Sequence, residues 1–235
     1  MVCLAQYLNF AKGYVVAIYA KSLQILNPSS VKSPNYKKRF GSFKRTLKYF
    51  IQNPIHQIMI EPHALESLQF PIGRFSYPQA ISFEETEQHL AVLRNLPQLL
   101  EELVQNLTNS QLDTPYRPGG WTTRQVVHHL ADSHLNAYCR MKMALTEDTP
   151  TILPYQENLW AELPEACNAA IEPSLLIIKG VHHRWVATLE ALRADDFARS
   201  FIHPEYNRLV NIAQQTALYA WHSKHHLAHI KLVLK

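Results

Sequence analysis

Cysteine is scarce in this sequence. Cys3, Cys139 and Cys167 are widely spaced, and none stands in a Cys-x-x-Cys pair. That argues against a disulfide framework and a thiolate zinc site, and it suits a reducing cytoplasm. The six glycines build no Gly-rich phosphate loop. No apolar run reaches membrane-spanning length: residues 13–20 are apolar, but Lys12 and Lys21 close the run at both ends. No alternating strand pattern extends beyond a few residues. Acidic side chains are missing altogether from residues 1–60, which carry nine Lys or Arg.

This last absence divides the chain. Residues 61–235 hold 14 basic against 19 acidic residues, so the net +4 belongs to the N-terminal quarter. The globular part is net acidic, and nucleic acid is not expected as a partner. Residues 27–39 read as a disordered linker. Residues 1–60 are expected to be a basic, acid-free, disordered extension. They fit either an organelle transit segment or a mis-assigned start, with Met59 the true initiator. They are assigned no part in the chemistry, and no membrane is expected as a partner.

What is abundant from Glu61 onward is helical periodicity. Ser82 and Glu85 have capping-box spacing and open a helix with Leu93, Leu96, Leu100, Leu103, Val104 and Leu107 on one face. Pro97 should kink or restart it. Thr122 and Gln125 repeat the box after Pro118-Gly119-Gly120 and open a second helix to about residue 145. A third is expected over residues 174–192 and a fourth over 211–234. Four amphipathic helices imply an all-α four-helix bundle with long connectors and an N-terminal appendage. The connector at residues 148–173 is long enough to form a lid or pocket wall. Tyr155, Glu157 and Trp160 within it, and His203 and Glu205 in the later loop, are candidates to line a site.

Histidine is concentrated in two of these helices. His222, His225, His226 and His229 fall within one stripe about 100° wide, since a helix advances about 100° per residue. His128, His129 and His134 lie in the second helix. Burying unpartnered imidazoles is costly, and a metal ion accepts their neutral ring nitrogens directly. A helix readily supplies two ligands, so the set should span both helices. Spacing leaves the choice open: His222/His226 and His225/His229 are both i,i+4 pairs, and His128 competes with His129.

Several separated motifs resemble the DinB-like superfamily, most of all its YfiT-type metal-dependent hydrolases. They are Arg117-Pro118-Gly119-Gly120-Trp121-Thr122, Val126-Val127-His128-His129-Leu130-Ala131-Asp132-Ser133-His134, Pro154-Tyr155, His203-Pro204-Glu205, and the run from Tyr219 to Ile230. The resemblance covers about residues 70–230. It implies a four-helix bundle, a cytoplasmic homodimer, and one divalent metal per subunit, Zn2+ or Ni2+, held by His129, His222 and His226. His128, His134, His225 and His229 then pack behind the ligands. Gln156 departs from the pattern, where an acidic residue is expected.

Three imidazoles leave coordination positions open, the mark of a catalytic site. The expected function is metal-dependent hydrolysis of a small-molecule substrate, with the pKa of water lowered to about 7. Asp132 is a candidate to orient a ligand imidazole, and Glu157 or Glu205 to act as general base. Two alternatives use the same ligands. One is a thiol S-transferase activating a low-molecular-weight thiol; the other is a non-catalytic metal-binding bundle protein.

Overall fold

The computed structural model describes residues 62–234. The expectations for residues 1–60 lie outside the described residues. A short helix α1 (Pro62–Gln69) leads in, followed by α2 (Phe83–Val104), the single turn α3 (Asn109–Leu112) and α4 (Thr123–Thr146). Then come the short α5 (Glu157–Ala161) and α6 (Pro164–Asn168), then α7 (Glu172–Glu190). A 3-10 turn (Ala194–Ala198), strands β1 (Ser200–His203) and β2 (Arg208–Asn211), and α8 (Ile212–Val233) complete the order. The four long helices close a ring: α2 packs on α8, α8 on α4, α4 on α7, and α7 back on α2. No helix among the described residues is long and apolar enough to cross a membrane.

The helix starts follow from capping chemistry. The side chains of Ser82, Thr122 and Asn211 each accept the amide three residues on, and Glu85, Gln125 and Gln214 reach back to the cap amide. Each box satisfies two donors the helix itself leaves without partners. Helix α7 begins at Glu172, earlier than the expected Ser174, because Pro173 sits in the first turn, where no amide hydrogen bond is required. The loop expected after residue 200 is in fact an antiparallel hairpin, pairing Phe201 with Val210. Both side chains are buried. Four-residue strands are too short to show a period, and Asn207 turns the chain with φ 43°.

Pro97 neither breaks nor restarts α2, which runs through it as one helix. The missing Pro97 amide leaves the Leu93 carbonyl without its helical partner. His182 of α7 supplies one instead, donating from Nδ1 to Leu93 O at 2.7 Å.

Two apolar clusters fill the bundle. One gathers Leu90, Leu93, Met141, Trp185 and Leu189; the other Leu96, Leu100, Leu130, Ile178 and Ile230. Burying each such side chain contributes about 1.5–3 kcal/mol. The step between clusters falls at residues 93–96 on α2, 131–137 on α4, 178–185 on α7 and 219–227 on α8. His134, His182, His222 and His226 all lie within those gaps. A layer of imidazoles therefore crosses the bundle between two greasy halves.

Candidate metal centre

Helices α4 and α8 bring His129, His222 and His226 together. One ring nitrogen from each lies within 4.8 Å of the others. His129 Nε2 and His222 Nε2 are 3.2 Å apart. Nitrogens about 2.0–2.1 Å from a tetrahedral zinc stand roughly 3.3 Å apart, so the pair has the separation of two ligands on one ion. His129 and His226 are buried and His222 is half-buried.

Metal ligation requires neutral rings. Burial, with His225 and His229 adding to it, holds His129 down to about 3. Burial also holds His222 and His226 well below the usual histidine range, and the neighbouring imidazoles reinforce it. The rings are thus held with lone pairs free at neutral pH, and the residues present suit a borderline cation such as zinc or nickel.

The loop before α4 walls one side. Trp121 lies tilted on His129 with centroids 4.7 Å apart, and Tyr116 stacks on His229 at 3.8 Å. Gly119 turns this loop at φ +66°. At Gly120 a Cβ would meet Arg117 Cγ at 2.7 Å, so a side chain there would press on Arg117. Arg124, buried in the first turn of α4, fastens the helix start to its surroundings. It donates to Asp113 Oδ1 at 2.8 Å, Ala169 O at 2.7 Å and Asn109 Oδ1 at 3.1 Å.

A cavity of about 280 Å³ opens beside the triad. His222 lines it together with Arg140, Tyr155, Glu157, His203 and Glu205. Glu157 also lines the neighbouring cleft of about 380 Å³, whose wall includes all three histidines. Its carboxyl is raised above the usual range by burial, and Glu205 adds to the shift. Gln156, where an acid was expected, lines the same cavity one residue away. Trp160 packs on Tyr155 at 4.6 Å but does not line the cavity. Arg140 donates to Leu153 O at 3.2 Å, while its buried Nε has no partner.

The other histidines are distributed as follows. His128 Nδ1 meets Ser174 Oγ at 2.8 Å, in the contact with α7. His134 touches His222, and His229 touches His226. His225 stacks on Trp221 at 4.4 Å. Asp132 is pushed up to about 6 by burial, with Glu165 adding, and its carboxylate hydrogen-bonds no imidazole among the described residues. His182 was missed in the sequence, although its position four residues after Ile178 and three before Trp185 puts a polar ring on the apolar face of α7.

Comparison with known proteins places the chain in a family. The sequence profile of the DinB superfamily matches residues 93–230. The chain belongs to the DinB superfamily. It is 46% identical over 164 residues to the "Putative metal-dependent hydrolase YfiT" of Bacillus subtilis (strain 168), spanning 70% of this chain and 92% of that protein. It is 47% identical over 171 residues to a "Putative metal-dependent hydrolase" of Bacillus pumilus (strain SAFR-032), spanning 73% and 97%. Among solved structures it matches YfiT from Bacillus subtilis, described as "a probable metal-dependent hydrolase with an unusual four-helix bundle topology". That match has a TM-score of 0.69 at 46% identity, covering 71% of this chain and 95% of that one. Like that neighbour, this chain is a four-helix bundle, here with one small hairpin on it.

Proposed function

We propose that the protein is a metal-dependent hydrolase of a small substrate, with His129, His222 and His226 holding one zinc or nickel ion. The observation that carries this reading is the convergence of three neutral imidazoles from two helices beside a cavity that shares His222. When bound, a divalent ion supplies Lewis acidity and activates water at neutral pH.

The chain's own residues do the rest. Glu157 borders both the cavity and the triad, and its raised carboxyl suits it to take a proton from water near neutral pH. Glu205 assists by holding Glu157 up. Arg140 and Tyr155 offer donors to an anionic or carbonyl portion of the substrate, since each buries a polar atom without a partner. Trp121, Tyr155 and Tyr219 exclude bulk water from the site. Asp132 acts on the neighbouring Tyr155 through its charge and tunes the local field there. A homodimeric assembly in the cytoplasm belongs to the same proposal.

The deciding experiment is metal analysis of protein purified without chelator, followed by turnover of esters, amides and electrophiles with and without added small thiols. Stoichiometric metal and thiol-independent hydrolysis are expected. Strict thiol dependence would replace the hydrolase with a thiol S-transferase. A metal-loaded protein without turnover of any of them would leave a binding protein.

A further inference from the structure

Hydrogen-bond directions behind the triad can be read outward from the backbone. A carbonyl only accepts, so His182 must donate to Leu93 O from Nδ1–H. A neutral His182 then has Nε2 as acceptor. His134 Nδ1 lies 2.8 Å from it and must carry the hydrogen. That leaves His134 Nε2 as acceptor, and His222 Nδ1, 3.1 Å away, must donate to it. The Nε2 of His222 is left bare, and it is the atom that faces His129. The second chain obeys the same logic. His229 Nε2 meets Gln69 O at 3.1 Å and must donate. Its Nδ1 then accepts from His226 Nδ1 at 3.4 Å, a long contact, and His226 Nε2 is bare.

Neutrality of the intermediate rings follows from their surroundings. His134 and His182 are buried at 0% and 1% exposure, and no carboxylate hydrogen-bonds either ring. An unpaired cation there would be strongly disfavoured.

Both chains end in the same way. Leu93 O has lost its helical donor to Pro97, and Gln69 O lies at the C-terminal end of α1, where carbonyls have no amide ahead of them. A free helix carbonyl is an acceptor that cannot reverse, and it fixes every ring between itself and the site.

We propose that His182 and His134, anchored on the carbonyl freed by Pro97, and His229, anchored on the end of α1, are positioning residues that lock the ligand rings of His222 and His226 with Nε2 bare toward the metal. This rests on the metal reading above and adds the residues that set tautomer and ring orientation. A chain that ends on a carbonyl passes no proton onward, so its action is to orient and to raise ligand basicity. Trp185 and Tyr219 pack edge-on against His134 with centroids 6.1 and 4.9 Å away, limiting its rotation.

The test has two readouts on the full chain. Long-range 15N–1H correlation spectra of the zinc-loaded protein should show His134 and His182 as Nδ1–H tautomers and His229 as the Nε2–H tautomer. An imidazolium or the opposite tautomer at His134 or His182 overturns the proposal. The second readout is zinc affinity by chelator competition. Pro97→Ala restores an amide to Leu93 O, so a Pro97→Ala, His182→Phe double variant breaks the chain without stranding that carbonyl. Compared with Pro97→Ala alone, it should bind zinc about 10–100-fold more weakly, with cooperative unfolding retained. His229→Phe should show a loss of the same order through the other ligand. Unchanged affinity in the double variant overturns the positioning role while the metal site stands. Failure of the wild-type protein to take up zinc overturns the site and this role together.

Discussion

His129 Nε2 and His222 Nε2 face each other at 3.2 Å across the contact of α4 and α8, 93 residues apart in sequence. Neither ring is charged at neutral pH, because burial depresses both. His129 can carry its hydrogen on either ring nitrogen, so the contact is an Nε2–H···Nε2 hydrogen bond in one tautomer and two facing lone pairs, open to a cation, in the other. The packing of these two helices brings the two proposed ligands face to face.

Removing one member should empty the site. His222→Ala is expected to abolish stoichiometric metal and all metal-dependent turnover, with the helical circular dichroism largely preserved. Elemental analysis of the purified variant checks it. Full metal content in His222→Ala would show that the ligand set lies elsewhere.

The metal-free protein should lose stability progressively as the pH falls from about 7.5. His129, His134, His182 and His226 are buried, with folded-state pKa values lowered: about 3 for His129, about 4 for His182, and well below normal for the others. Above about pH 7.5 these rings are neutral in both states and contribute no pH dependence. Below it the unfolded chain binds protons that the folded one refuses, so stability falls with pH. Each ring whose folded-state pKa stays well below 5.5 costs the fold on the order of 1 kcal/mol at that pH, so the rings together remove a sizeable part of the stability of a typical domain. Urea midpoints of chelator-treated protein at pH 7.0 and 5.5 measure this. Equal midpoints would mean the rings are solvated or already charged. Bound zinc should delay the loss, because protons and metal compete for the same nitrogens.

Much of this arrangement is legible in the sequence, for a physical reason. Capping boxes at Ser82 and Thr122 and the three-four leucine spacing encode local helix geometry, so their residues announce it. The hairpin was illegible because Phe201 and Val210 sit in strands of only four residues. The buried surface of α8 is wider than the histidine stripe: Gln215, Tyr219, Ser223, His226 and Ile230 are buried together with Ala213, Ala220 and Leu227 on other sides. A helix enclosed nearly all round has little amphipathic signal to give. The histidine clusters themselves are plain in the sequence. Choosing among their members needed the resemblance, because i,i+4 spacing does not distinguish a ring aimed at its partner helix from one aimed at Trp221. Helix α7's contribution was illegible for another reason. His182 matters through the Leu93 carbonyl, and a backbone atom without its amide leaves no trace beyond a proline on a distant helix.

Glu157 and Glu205 should separate by their kinetic signatures. Glu157→Gln removes the proposed proton acceptor, and turnover should fall about 10²–10⁴-fold with metal content unchanged. Glu205→Gln removes the charge that helps keep the Glu157 carboxyl raised. Its acid limb in kcat/KM should therefore move to lower pH, with the plateau much less affected. Profiles of the two variants against wild type check both outcomes. A Glu157→Gln enzyme with wild-type turnover would remove that residue from the chemistry.

The same substitution should act with opposite sign at two glycines. Gly180 lies on the exposed side of α7, and a Cβ there meets nothing within 4 Å. Gly180→Ala should stabilise the protein by about 0.5–1 kcal/mol, since alanine has less backbone freedom to lose in a helix. At Gly120 the added carbon meets Arg117 Cγ at 2.7 Å, and Arg117 O and Tyr116 Cζ at 3.2 Å. Gly120→Ala should cost about 1–3 kcal/mol and displace Tyr116 from its 3.8 Å stack on His229. Thermal melts of the two single variants measure the signs. Zinc affinity separates them further, because only the Gly120 loop leans on the ring behind His226. Gly180→Ala should leave affinity unchanged, and Gly120→Ala should weaken it. A Gly120→Ala protein as stable and as zinc-avid as wild type would show that the loop yields without moving Tyr116.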